Sequence, residues 1–374
     1  MSAAGILERL VAIPSVVGTP NAAIVGYIVD YLRPFGVEAR VLVGPEGDRA
    51  NLFATIGPAD VAGYVLSGHM DVVPAGEAGW TGDPFTLRLD GQRFLGRGAT
   101  DMKGFLAAAL AAVPALLASP LSRPIHLAFS YDEEAGCRGV HHLLVRLPDL
   151  CAPPLGAVIG EPSGMRPILA HKGKAAARVT LGGRSGHSSR PDLGLNAIHG
   201  AIEVLKSADE TARSLAAGPF DPIFEPPYSS LQVGTIQGGR GVNIIPDSCS
   251  LEVEARAIAG VEHSTRLQPG RAAAEPRAQE GFAVEWEELG GYPALSLSPT
   301  SPLARLLEDL TGMEPLAAVS YGTEAGLYQR AGVDSIICGP GDIARAHKPD
   351  EYILANELMD CQRLIEALCA RCRG

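Results

Sequence analysis

The sequence predicts an α/β protein in which a main domain, built on a mixed and largely parallel sheet, is split by a smaller inserted α+β domain. Three observations carry that expectation. Short apolar runs rich in β-branched residues alternate with helical runs, most of the strand-like runs finish in acids or histidines, and the texture between residues 175 and 285 changes to alternating strands and Gly/Pro-rich turns. The expected segments are therefore 1–174, 175–285 and 286–374, the first and last together forming the main domain.

Residues 21–36 place Ile24, Ile28, Tyr31 and Leu32 at helical spacing, and Gly36 is positioned to end the helix. Strands are expected at 37–43, 51–57, 64–71, 125–133 and 156–162, with an apolar helix running from 105 between the third and the fourth. Within 175–285, turns such as GGRGVNIIPD (238–247) separate the strands, and one helix is expected. Residues 301–312 return to helical periodicity, and 333–341 supply a further buried strand. Over 261–281 no element is predicted, because Pro269, Gly270 and Pro276 weaken any helix there.

The 374 residues exceed one ordinary core, and the apolar and charged fractions of 46% and 20% are those of a globular protein. With 31 Lys and Arg against 42 Asp and Glu the formal net charge is −11, the wrong sign for collecting nucleic-acid phosphates. No nucleic-acid partner is expected. No apolar run reaches the ~18 residues of a membrane span, and the first residues lack the basic start and apolar core of a secretory signal. The seven cysteines are odd in number and scattered, which fits free thiols in a reducing cytoplasm. Cys369 and Cys372 are three apart, but on a pattern that reads as helix, so packing is expected there rather than ligation.

Chemistry concentrates at the strand ends. His69 and Asp71 stand two apart at the end of the third strand and so face one crevice. A ligating histidine commonly hands its second ring N–H to a carboxylate, which fixes the tautomer. By itself that spacing equally fits a structural polar pair. Asp101 opens the helix from 105, a place a helix N-cap would also occupy; Asp132, Glu133 and Glu134 come at the end of the fourth strand; Glu161 comes at the end of the fifth. Several acids delivered to one edge repel one another unless cations lie between them. Two divalent ions ~3.5–4 Å apart would account for that charge and supply a nucleophile at neutral pH. Adjacent Glu133 and Glu134 could divide the labour, one binding metal and the other moving protons. The mixed nitrogen and oxygen donors suit Zn²⁺, with Co²⁺ or Mn²⁺ as alternatives.

At these residues the sequence resembles the dinuclear zinc amidohydrolase and exopeptidase family of deacylases, desuccinylases, aminoacylases and glutamate-releasing carboxypeptidases. The resemblance is carried in order by SGHMDVVP, Trp80 with DPF, GRGATDMKG, SYDEEAGCRG, GEP, GRSGHSSRP, GVNIIPD and GPGDIARAHKPDEYI. It implies a zinc-exopeptidase-like catalytic domain with an inserted dimerisation or lid domain. It implies further that His69, Asp101 and Glu161 hold one metal, that Asp101 bridges to a second held also by Glu134 and His347, that Glu133 is the general base, and that Asp71 orients His69. His187 would reach the active site of the partner in a homodimer to stabilise the oxyanion. Asn243 and Arg256 match substrate-binding positions, Arg256 suiting a carboxylate.

Within the family, SYDEEAGCRG, YGTEAG and the GPG…AHKPDEYI stretch look most like the branch that hydrolyses N-acetylornithine, which implies a small-molecule N-acyl amino acid as substrate. Glu324 of YGTEAG would then face the cationic end of that substrate; a plain surface carboxylate is the other reading. Met70 stands where Thr is common, and 261–281 departs from the family's regular helix. No phosphate-binding glycine loop and no GxSxG elbow occurs, which removes support for nucleotide hydrolysis and covalent acyl transfer. His141 and His142 are adjacent and so do not share a helix face, and His126, His171, His199 and His263 have no carboxylate pattern of their own.

Overall fold

The computed structural model describes residues 1–373. The chain forms two compact units: 1–170 with 295–318 and 323–374, and 171–294 with 319–322. The chain returns to the first unit at 295, later than the expected 285, because Ala283–Tyr292 is a full strand paired with Gly173–Gly182.

In the first unit a six-stranded sheet runs in the order Ala39–Val43, Ala50–Ile56, Ile125–Ser130, Tyr64–His69, Gly156–Pro162, Ser335–Gly339. The last four strands are parallel to one another, and the first two join antiparallel. Ile125–Ser130 and Gly156–Pro162 are buried along their whole length. Sheets covered on both faces read as continuous apolar runs for this reason. One cover is the helix Lys103–Leu117, which packs against Ala3–Val11 and Ala355–Arg371. It comes very close to the sheet: a Cβ on Gly160 would lie 2.0 Å from the Phe105 ring, and one on Gly68 2.7 Å from Met102. The two glycines precede Glu161 and His69, so the sequence thins the strands just where they deliver polar side chains.

The second unit holds a four-stranded antiparallel sheet, ordered Ser230–Gly238, Ser248–Ala257, Gly173–Gly182, Ala283–Tyr292. Burial alternates strictly along Gly173–Gly182, as expected of a sheet with one face on a core and one in water. Val179, Leu181 and Leu251 meet Ala197 and Val204 of the helices Ala197–Gly200 and Ile202–Ala216, and Ala201 between them, on the covered face. Residues 261–281 form a short helix, Gln268–Ala274, flanked by 3₁₀ turns at Ser264–Leu267 and Glu275–Glu280. Pro269 lies in the first turn of that helix and Pro276 in the first turn of the second 3₁₀ segment, positions where the missing N–H costs little.

Candidate metal centre

Because four strands run parallel, their carboxyl ends fall at one edge of the sheet, and there the first unit assembles its charge. His69 ends Tyr64–His69, Glu161 is the penultimate residue of Gly156–Pro162, Glu133 and Glu134 follow Ile125–Ser130, Asp101 precedes the Lys103–Leu117 helix, and His347 follows Ser335–Gly339. His69 is 1% exposed. Its Nε2 lies 3.0 Å from Asp101 Oδ1 and 3.8 Å from Glu161 Oε1. The other oxygen of Asp101 lies 3.3 Å from His347 Nε2, which is also 3.0 Å from Glu134 Oε1. Asp101 thus stands between the two imidazoles. His347 itself takes a left-handed backbone, φ 58°, an uncommon conformation for a residue with a Cβ.

Asp71 meets His69 otherwise than through the expected carboxylate contact. His69 Nδ1 faces the Asp71 carbonyl oxygen at 2.9 Å, and the Asp71 carboxylate only at 3.6 Å. The two carboxylate oxygens accept the backbone amides of Glu133 and Glu134, both at 3.1 Å. Asp71 therefore fixes the ring through its backbone and the acidic turn through its side chain. Asp132, also left-handed at φ 51°, accepts from Gly18 N at 2.8 Å and from Arg49, which ties the same turn from below. The Cys137 thiol donates to Glu133 Oε1 at 3.2 Å, leaving Oε2 as the other oxygen of that carboxylate.

The electrostatics of the cluster favour cations. Burial raises the Glu133 carboxyl to about 8, and the neighbouring acids add to that; burial likewise raises Glu134 and Glu161. Hydrogen bonds to Asp101 and Glu134 lift the His347 ring to about 10. Burial opposes charge on Asp101, but its bonds to His347 and His69 win and hold it well below the usual carboxylate range. Several carboxylates share this crevice with two imidazoles, and a low-dielectric site pays for such crowding by neutralising groups unless cations enter. The donor atoms suit such cations: one ligand atom each from His69, Glu133 and Glu161, and from His69, Asp101 and Glu134, lie within 4.8 Å of one another. These residues fit divalent metal ions held by mixed nitrogen and oxygen donors.

Glu324 requires a correction. It is neither on the surface nor open to a substrate: it is 1% exposed, its Oε1 accepts from Ser67 Oγ and its Oε2 from Ser130 Oγ at 2.8 Å, and Ser67 Oγ also meets Tyr328 Oη at 2.8 Å. Both oxygens are already engaged by hydroxyls of the two strands that carry the site, so the residue braces those strands. In the second unit, His187 is exposed, its Nδ1 2.7 Å from Ser189 Oγ, and Ser188 N donates to the Asn243 carbonyl at 3.1 Å, which sets the His187 and Asn243 loops side by side. Arg256 is half-buried near the end of Ser248–Ala257, donating from Nε to Glu254 at 2.8 Å and from Nη1 to Tyr292 Oη at 3.1 Å. The histidines set aside stay outside the cluster: His126 bonds Thr55 at 3.0 Å and stacks on Phe53, and His171 packs edge-on against Tyr292. All seven cysteines are buried and unpaired, Cys369 and Cys372 included.

Fold and cluster together define a hydrolase of the metal-binding type. Residues 65–371 match the model of peptidase family M20/M25/M40. The chain belongs to that family. It is 32% identical over 375 residues to an acetylornithine deacetylase of Photorhabdus laumondii, covering 97% of this chain and 95% of that one, and 32% identical over 379 residues to one of Myxococcus xanthus, covering 98% and 97%. Among solved structures, an M20 family metallo-carboxypeptidase of Sulfolobus solfataricus matches over 99% of this chain and 98% of its own with a TM-score of 0.81 at 18% identity. A dinuclear metal-binding peptidase of the same family from Bacillus subtilis matches with a TM-score of 0.67 at 14% identity, covering 99% of this chain and 97% of its own.

Proposed function

We propose that the protein is a zinc-dependent deacylase that hydrolyses N-acetylornithine to ornithine and acetate in arginine biosynthesis. The observation that carries the reading is Asp101, whose two carboxylate oxygens face His69 and His347 at 3.0 and 3.3 Å. His69, Asp101 and Glu161 would hold one ion, and Asp101, Glu134 and His347 the second, with Zn²⁺ favoured over Co²⁺ or Mn²⁺ by the donor set. Two such ions supply Lewis acidity toward the amide carbonyl and toward water. Glu133 moves the protons: with Oε1 bonded by the Cys137 thiol, Oε2 takes the proton from water and passes it to the leaving amine. Asp71 holds that glutamate's backbone in place.

His187 would stabilise the developing oxyanion from the partner subunit of a homodimer. Asn243 and Arg256 would hold the substrate, and the family resemblance supports these roles. The unpaired state of all seven cysteines supports a cytoplasmic location. Among the described residues no helix is long and apolar enough to cross a membrane.

The test is turnover by metal-reconstituted protein of N-acetylornithine, N-succinyl-diaminopimelate, N-acetylmethionine and a dipeptide in parallel. A clear preference in kcat/KM for N-acetylornithine is expected. Faster turnover of any of the other three would move the protein to another branch of the family and leave the metal chemistry standing, since pocket contacts set such ratios.

A further inference from the structure

We propose that Glu351 is a positioning residue for Asp101, gripping the backbone of the 98–101 loop so that the Asp101 carboxylate is aimed between His69 and His347. The inference rests on the reading of Asp101 as the carboxylate that serves both ions. Glu351 is 1% exposed and its side chain meets only N–H donors. Its Oε1 accepts from the amides of Thr100 at 2.9 Å and Asp101 at 3.0 Å; its Oε2 accepts from the amide of Gly98 at 3.0 Å and from Arg97 Nη1 at 2.9 Å. One carboxylate thus holds the loop on both sides of Ala99 and takes the amide of Asp101 itself.

Three further features turn this grip into a device for aiming. The loop has little room to move elsewhere: Gly98 is left-handed at φ 79°, and a Cβ there would lie 2.5 Å from Val72. A second staple joins the same two stretches, Thr100 Oγ1 donating to the Tyr352 carbonyl at 2.6 Å. Glu351 also lies four residues after His347, so the segment that contributes one histidine to the cluster sets the carboxylate facing it. A slip of the loop would displace both oxygens of Asp101 together. Its consequence would fall on both ions rather than on one.

A glutamine has the same shape but turns one of the two oxygens into an NH₂, which sets a donor against two of the four N–H groups, so Glu351→Gln breaks half of the grip with little change of volume. The experiment is zinc titration by calorimetry of metal-stripped wild type, Glu351→Gln, Thr100→Val and Asp101→Asn, with circular dichroism of the stripped proteins and the visible spectrum of each after saturation with Co²⁺. The expected result for folded Glu351→Gln is a loss of roughly 10–100-fold in affinity for both ions, the scale typical of groups that orient a metal ligand, and an altered cobalt spectrum at saturation. Thr100→Val should show a smaller loss in the same direction. A role in folding the loop alone would lower the melting temperature of the stripped protein and leave the saturated cobalt spectrum as in wild type; that outcome overturns the proposal, as does wild-type affinity for both ions. Should Glu351→Gln fail to fold, Thr100→Val decides, and wild-type affinity there also overturns it. Retention of both ions by Asp101→Asn would instead overturn the metal reading on which the proposal rests.

Discussion

The first unit puts a buried guanidinium between two acids, and the second puts an exposed one between two acids. Arg97 bonds Glu351 and Glu77 and lies 5.0 Å from the Trp80 ring, with 2% of its side chain exposed. Arg178 bonds Glu252 and Glu287 on the open face of the antiparallel sheet, with 41% of its side chain exposed. The local chemistry is nearly the same, yet the physics differs. In the first unit the Arg97 side chain is almost wholly out of water, so its charge must be paired; on the four-stranded sheet water screens the open face and pairing is optional. A fold that brings parallel strand ends to one dry edge therefore makes charge expensive, and a cluster meant for cations belongs in such a place.

The comparison breaks most visibly at Arg97. Arg97→Met leaves Glu351 without its cation in a dry site and should cost about 3–5 kcal/mol, seen as a large fall in the denaturant midpoint. An unchanged midpoint would mean that the first unit screens this pair as well as water does. Next comes the close approach of helix and sheet: Gly160→Ala drives a methyl into the Phe105 ring and should cost about 1–3 kcal/mol with Glu161 displaced, read from thermal melting and zinc content together. Wild-type behaviour there would show that the Lys103–Leu117 helix can retreat without cost.

Acid sharpens the contrast from another side, because each unit buries a histidine that stays neutral. Burial lowers His126 and His171 from 6.5 to about 4. The folded value is below the unfolded one, so each contributes stability that is complete above pH 6.5 and is lost as pH falls toward 4. Denaturant titrations between pH 7 and 4 should show that slope, and His126→Gln should flatten part of it; an identical slope in the variant would remove His126 from the account. The smallest effect is expected at Arg178→Ala, whose melting temperature should be indistinguishable from wild type in moderate salt. A clear fall would show that the open face of the second sheet holds its ion pairs more tightly than exposed groups usually do.

What the sequence disclosed follows from the same distinction. The parallel strands were legible because burial on both faces demands continuous apolar runs, and the acids and histidines that end them stand out against that background. Asp101, Glu161 and the DEE turn could therefore be placed at one edge before any coordinates. Glu351 could not, although it lies in a quoted motif: its partners are the backbone amides of residues some 250 positions earlier, and amides leave no mark in a sequence. Glu324 misled for a related reason. Nothing around YGTEAG tells that Ser67 and Ser130, on two separate strands, will cover both of its oxygens. The segment 261–281 stayed unreadable because its helix is short and has proline in its first turn, where proline permits a helix without announcing one.

The central claim is that the acids of the first unit divide into groups that hold ions and one that moves protons. Glu133 lies within ligand reach of His69 and Glu161, so the division is open to direct attack. The measurement is zinc content and turnover of Glu133→Ala on the same preparation. The account predicts two ions per chain, as it does for wild type, and a loss of at least about 10²–10⁴-fold in kcat. Full turnover, or loss of an ion along with the activity, would contradict it.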